Sequence, residues 1–151
     1  MKSLFCMFCT LAIASSVSAQ ETGNAMLKYG LNFLKTPYVA HTLEVNEEEK
    51  LVVNFDEVDC TTFVEYVLAL SLSPVKNGAI DKTDYARVLQ KIRYRDGRIN
   101  GYTSRLHYIA DWINNGVKHG FMEDVTAANS PDSIELSLNF MSSHPKSYRQ
   151  L

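Results

Sequence analysis

Cys60 stands between an acidic loop and an apolar run in the stretch VNFDEVDCTTFVEYVLALSLS. A thiol can attack an amide, pair in a disulfide, or fill a small buried space. Asp59, immediately before it, is a good helix N-cap, which would set Cys60 at the first helical position, near the positive end of the helix dipole. That placement favours a negative sulfur. Asp56, Glu57 and Asp59 oppose it by about 1 kcal/mol each at water-exposed distances, comparable to the roughly 0.3 to 1 kcal/mol of the dipole. The local effects nearly cancel, so efficient attack by this thiol needs a histidine to hold the ion pair.

The chain has 4 histidines. His41 reads as an exposed loop residue beside the Tyr38 segment, and His107 as a cleft or core residue among Tyr108 and Trp112. His119, next to Gly120, fits a helix C-terminus, and His144 precedes Pro145 in a loop. None of them has independent support as a general base. The histidines are too far apart in sequence, and acidic and thiol residues too poorly spaced, to predict a metal site, and no cofactor is expected.

The elements that must position Cys60 follow from periodicity. Met26, Tyr29 and Phe33, with Leu27, Leu31 and Leu34, have helical spacing from Gly23 to Lys35, ending at Thr36-Pro37. PYVAHTLEV reads as extended, NEEEK as a solvated loop, and LVVNF as a short strand needing cover on both faces. From Cys60 the apolar residues Phe63, Val64, Val67, Leu68 and Leu70 describe a helix, stopped by Pro74 and Gly78. Asp81 caps a second helix in which Tyr85, Val88, Leu89 and Ile92 share a face, before Asp96-Gly97 turns the chain. A third helix is expected over Ser104 to Val117, with Asp111 pairing Arg105 or Lys118 on its surface. Ile134, Leu136, Leu138 and Phe140 alternate with polar residues, the period of a strand with one wet face. Two strands, LVVNF and SIELSLNF, would form an incomplete antiparallel sheet with open edges.

At the N-terminus, Lys2 precedes an apolar run from Leu4 to Val17 and then small residues before Gln20, the grammar of a signal peptide over residues 1–19. Its run is shorter than the roughly 20 apolar residues that span a bilayer. The expectation is export to the periplasm or the extracellular space, with no membrane attachment after signal removal. Cys6 and Cys9 leave with the leader, so residues 20–151 form one domain with a single thiol. That thiol could be a buried group, a dimer link or a nucleophile. The 15 basic and 17 acidic residues give a net charge of -2, and only RYRDGR gathers several basic side chains, so nucleic acid is not an expected partner.

TPYVAHTLE followed by VDCTTFVEYVLAL resembles the NlpC-type branch of papain-like cysteine hydrolases, with its proline-tyrosine segment and Asp-Cys-Ser/Thr-x-Phe helix start in this order. IRYRDGRINGYTSRLHYIADWI and FMSSHPKSY narrow the resemblance to the N-acetylmuramoyl-L-alanine amidase-like family, across essentially all of residues 20–151. The resemblance implies an α+β fold, of which this chain is the helical N-terminal portion. It implies a cell-wall hydrolase acting on peptidoglycan fragments (muropeptides) and cutting between N-acetylmuramic acid and L-alanine. Cys60 matches the nucleophile and Tyr38 the tyrosine near it. Backbone N–H groups at the helix start would bind the oxyanion. Ser104, Arg105 and His107 fall in a segment typical of the narrower family and are expected at the substrate cleft, where an arginine can grip a carboxylate through two parallel hydrogen bonds.

The sequence departs from the family pattern twice. His41 stands where P-Y-V-x-G-T has glycine, and the downstream D-x-x-H-x-G motif of the catalytic histidine does not occur. The expectation is therefore a partial domain, inactive alone. The competing expectations are a non-catalytic muropeptide-binding or interaction module and an incomplete product that folds poorly.

Overall fold

The computed structural model describes residues 21–129, 132 and 134–147, so the signal peptide expected over residues 1–19 lies outside the described residues. The chain divides into two compact units, one with residues up to Ala40 and Phe55–Tyr85, the other with His41–Asn54 and residues from Ala86 onward. Its described elements are helical, apart from a two-stranded antiparallel sheet, an α+β composition.

In the first unit, residues 21–31 form helix α1, followed by turns that end with Thr36 N–H donating to the Phe33 carbonyl at 3.0 Å. Pro37 then favours extended backbone. Val39 N–H donates to the Val58 carbonyl (3.0 Å) and Val58 N–H to the Pro37 carbonyl (3.1 Å), a parallel bridge that fixes Tyr38 beside the residues leading into helix α2, Cys60–Leu72. Ser73 and Pro74 end α2 in extended backbone. The buried side of α2 includes Thr62, Tyr66, Val67, Leu68 and Ala69. Phe33, Phe55, Phe63, Tyr66 and Tyr85 pack around it as a ring cluster, with Phe55 and Tyr66 edge to face at 5.2 Å and Phe33 and Phe63 at 5.6 Å. Edge contacts of this kind add to the area they bury.

The sheet is not the expected one. Strands β1 (Val75–Lys76) and β2 (Ala79–Ile80) pair through Asn77 (φ 52°) and Gly78 (φ 79°). Two positive φ angles in a two-residue loop are what the twist of a tight hairpin requires, and Asn-Gly meets that demand at low cost. LVVNF is irregular over residues 51–54. Side chains take backbone carbonyls here instead of a ladder: Arg93 Nη1 donates to the Val52 carbonyl (2.6 Å), and the Tyr94 hydroxyl to that of Lys50 just before the segment (3.0 Å). Residues 134–139 are irregular too, and Phe140 opens a short helix. A strand needs a ladder partner, and none pairs with this segment among the described residues.

Helix α3 (Lys82–Arg93) starts as expected, Asp81 accepting from Thr83 N–H (2.8 Å) and Asp84 N–H (3.2 Å). From Ala86 it belongs to the second unit, where Leu89, Ile92, Tyr94, Tyr102 and Leu106 are buried. Asp96 (φ 51°) and Gly97 (φ 68°) make the turn read from Asp-Gly. The next helix, α4, is Ile109–Lys118 and starts later than expected. Residues Tyr102–Ser104 wind as a 3-10 turn, and the bridge between Tyr94 and Arg105, with Leu106 N–H donating to the Arg93 carbonyl (2.9 Å), holds the following residues extended. Buried Asn115 ties α4 down, accepting from Asp96 N–H (3.1 Å) and donating to the Lys91 carbonyl (3.1 Å). Asp111 pairs with Arg95 through two bonds of 2.8 and 2.6 Å rather than with Arg105 or Lys118, because Arg105 is buried elsewhere and Lys118 bonds Asp96 at 2.5 Å. Two one-turn helices, α5 (Thr126–Asn129) and α6 (Phe140–Ser143), complete the unit. No described helix is long and apolar enough to cross a membrane.

Candidate active site

Cys60 is exposed and is the first residue of α2. The helix start beneath it is closed by a reciprocal pair of bonds. Thr62 N–H donates to Asp59 Oδ1 at 2.8 Å, Asp59 N–H donates to Thr62 Oγ1 at 2.9 Å, and Thr62 is buried. Such a box satisfies two otherwise unpaired backbone groups and fixes the entry of the chain. It also commits the Asp59 carboxylate to the backbone, while the sulfur stays at the dipole's positive end.

The bridge to Val58 delivers Tyr38 to the same place. Its pKa is raised, first by charge on Cys60, then by partial desolvation, side-chain hydrogen bonding with Cys60 and Asp59. The phenol therefore stays protonated and a donor. Tyr38 is 71% exposed, so the pair faces solvent.

Ser104, Arg105 and His107 come together in the second unit. Arg105 is buried, its Nη2 2.6 Å from Glu44 Oε1 and its Nε 3.5 Å from Glu49 Oε1. The guanidinium also covers the Tyr102 ring, 4.8 Å from its centroid. The Tyr94 hydroxyl donates to Glu49 Oε1 at 2.6 Å, and burial followed by that carboxylate raises the Tyr94 pKa. Tyr102 is pushed up to about 12, by burial first and Glu44 next. The His107 ring lies 4.4 Å from the Tyr102 ring, tilted by 31°, and its Nε2 is 3.0 Å from the Tyr102 carbonyl. Burial lowers its pKa most, Arg105 lowers it further, and the Tyr102 carbonyl, Glu49 and Glu44 pull it back up. Ser104 Oγ donates to the Gly101 carbonyl (2.7 Å) and accepts from Asn100 N–H (3.0 Å). Expected as ligand-binding groups, the three are thus committed to one another's turn. Arg105 in particular has carboxylate partners inside the chain, which the sequence reading did not anticipate. Glu49 was missed because NEEEK reads as solvated, and Glu44 because PYVAHTLEV reads only as extended. An open cleft of about 440 Å³ borders this cluster, lined by Glu47–Glu49 and Ile99–Tyr102.

The other histidines are also engaged in the second unit. His119 Nε2 is 3.3 Å from Asp96 Oδ1, and His144 Nδ1 is 2.9 Å from Ser143 Oγ. His41 is exposed at φ 65°, a left-handed backbone that glycine adopts freely and a side chain does not. The first unit contains no histidine. No group of three or more His, Cys, Asp or Glu among the described residues could hold a metal ion.

The family described as AmiA-like, N-acetylmuramoyl-L-alanine amidase-like, matches residues 28–151, and the chain belongs to that family. Among solved structures, it is similar to an N-acetylmuramoyl-L-alanine amidase from Bacteroides uniformis ATCC 8492, 63% identical over 82% of this chain and 52% of that one, with a TM-score of 0.76. A second crystal structure of an amidase so named from that organism aligns at 61% identity over 86% of this chain and 54% of the other, TM-score 0.78. A Bacteroides fragilis protein described as a candidate xylanase aligns at 61% identity over 81% and 52%, TM-score 0.74. The chain thus spans about half the length of these relatives. A search of curated proteins finds no match.

Proposed function

We propose that the chain carries the nucleophile portion of a cysteine amidase of the NlpC-type papain-like fold. Its substrates are muropeptides, and the bond cut joins N-acetylmuramic acid to L-alanine. The observation that carries this reading is the exposed Cys60 sulfur at a capped helix start, with the Tyr38 segment bridged to the residue two before it. The name shared by the family and the Bacteroides uniformis amidases supplies the substrate class.

The thiolate attacks the amide carbonyl carbon, and the oxyanion accepts bonds from the Cys60 and Thr61 amides, Asp59 having taken that of Thr62. Collapse breaks the C–N bond, the alanine amine leaves with a proton, and water hydrolyses the thioester. Tyr38 steadies the charged sulfur. Arg105 acts as a positioning residue, its ion pairs with Glu44 and Glu49 holding the turn of Ser104 and His107. The first unit contains no histidine, and His107, His119 and His144 each have a ring nitrogen engaged with another partner, which leaves exposed His41 as the one histidine not so engaged. Turnover by the chain by itself is not expected. The leader-like residues 1–19 support export.

The test is release of L-alanyl peptide from N-acetylmuramoyl peptides by the purified chain and its Cys60→Ala variant. No release is expected. Release lost in Cys60→Ala would overturn the account of the base, and release unchanged in that variant would overturn the nucleophile. Calorimetric binding without release is the outcome expected of a binding module.

A further inference from the structure

The chain carries three Asn-Gly pairs: Asn77-Gly78, Asn100-Gly101 and Asn115-Gly116. Asparagine is among the chemically labile residues, most of all before glycine, whose nitrogen no side chain shields from the neighbouring amide. That nitrogen attacks the asparagine Cγ, its proton leaves with the side-chain nitrogen as ammonia, and a cyclic succinimide remains. Water opens the ring at one carbonyl to give aspartate, or at the other to give isoaspartate, which adds a methylene to the main chain. Nothing but water is consumed. The attack requires an amide side chain and a glycine N–H that are not held, and a backbone able to bring them together.

The three pairs differ in these respects. Asn115 is buried inside α4, its Oδ1 accepting from Asp96 N–H and its Nδ2 donating to the Lys91 carbonyl, both at 3.1 Å. Asn100 is exposed, but its N–H donates to Ser104 Oγ (3.0 Å). The Gly101 carbonyl accepts from Ser104 N–H (3.1 Å) and Ser104 Oγ (2.7 Å), which ties this pair to the 3-10 turn. Asn77 and Gly78 are exposed at the tip of the β1–β2 hairpin, and among the described residues no hydrogen bond holds the Asn77 side chain or the Gly78 N–H. Strands of two residues each close this hairpin, a pairing too short to stay shut by itself, so it opens locally at little cost. We propose that Asn77 is a self-modification site, at which the Gly78 nitrogen closes the succinimide during hairpin opening, well ahead of Asn100 and Asn115. An isoaspartate there lengthens a two-residue loop whose two positive φ angles match the strand twist. The register of Val75 with Ile80 and Lys76 with Ala79 is lost, and with it the bond from Lys76 to Asp84 (2.6 Å). Because the hairpin joins α2 to α3, the modification loosens the connection behind the helix that starts at Cys60.

This site needs no assumption about the chemistry of Cys60 or the bond cleaved. The test is incubation of the whole chain at mildly alkaline pH, folded and in urea, followed by peptide mapping with fragmentation that separates aspartate from isoaspartate. In folded protein Asn77 should convert first, about tenfold or more ahead of Asn115, with Asn100 between them. In urea the three rates should converge, since the chain then holds none of the pairs. Asn77 intact while either other pair converts in folded protein overturns the proposal, and so does the same order of rates in urea, which would take the structure out of the selection. The consequence for the hairpin is read by NMR from the cross-strand contact of Val75 with Ile80. It should vanish from the isoaspartyl product and persist in Asn77→Asp, which adds the charge without the methylene. A contact kept in the isoaspartyl product overturns the loosening, and one lost in Asn77→Asp assigns it to charge instead of chain length and overturns it equally.

Discussion

The Cys60 site and the Arg105 cluster are built in opposite ways. In the first unit a reactive group is held in water: the sulfur and Tyr38 are exposed, and only their scaffold, the Asp59–Thr62 box and the aromatic cluster, is internal. In the second unit the charges themselves are internal, the side chains of Arg105 and Glu49 being 7% and 3% exposed. An exposed thiol can meet a substrate but gains little from its surroundings. A buried ion pair gains little net stability, yet it makes the arrangement intolerant of losing one member. The difference sets an exposed thiol in one unit against buried ion pairs in the other, and substitutions can separate the two.

The largest effect should come from Arg105→Ala, which leaves Glu49 buried without its cation. Urea unfolding should show a loss of about 3 to 5 kcal/mol. A loss below about 1 kcal/mol would mean that the cluster is solvated. Asp59→Ala removes the cap of α2 and should cost about 1 kcal/mol. It should also change the alkylation rate of Cys60, whereas Arg105→Ala, in protein that remains folded, should not. His41→Gly should stabilise by roughly 0.5 to 1 kcal/mol, the relief of a left-handed side chain less the entropy that glycine adds to the unfolded chain.

The smallest effect is a pH dependence. Burial lowers the His107 pKa below its ordinary 6.5, so the unfolded chain binds more protons in the interval beneath that value. Stability should fall as pH drops through 6.5 and level off below the depressed folded value. His107→Gln should remove that component of the melting-temperature profile, and an unchanged profile would contradict the assignment.

Local chemistry was legible in the sequence. Asp59 and Asp81 read as caps and are caps, and Asp96-Gly97 reads as a turn and is one. Tyr38 could be tied to Cys60 only through family resemblance, because the bridge from Val39 to Val58 joins segments far apart in the chain. The sheet was misplaced for two reasons. Gly78 was read only as a helix stop, although with Asn77 it makes a hairpin turn, and the Val52 carbonyl of LVVNF bonds to Arg93, a side chain that no periodicity reveals. Glu44 and Glu49 illustrate the same limit. Glu49 in a glutamate run and Glu44 in an extended segment look solvated until the arginine that pairs with both is found about 60 residues away.

The most direct measurement is covalent labelling with a chloromethyl ketone derivative of N-acetylmuramoyl-L-alanine, read by peptide mass spectrometry on folded and urea-unfolded protein. The account predicts a single adduct on Cys60, formed faster in the folded chain and slowed by Tyr38→Phe. Equal labelling of folded and unfolded protein, with no effect of Tyr38→Phe, would contradict it.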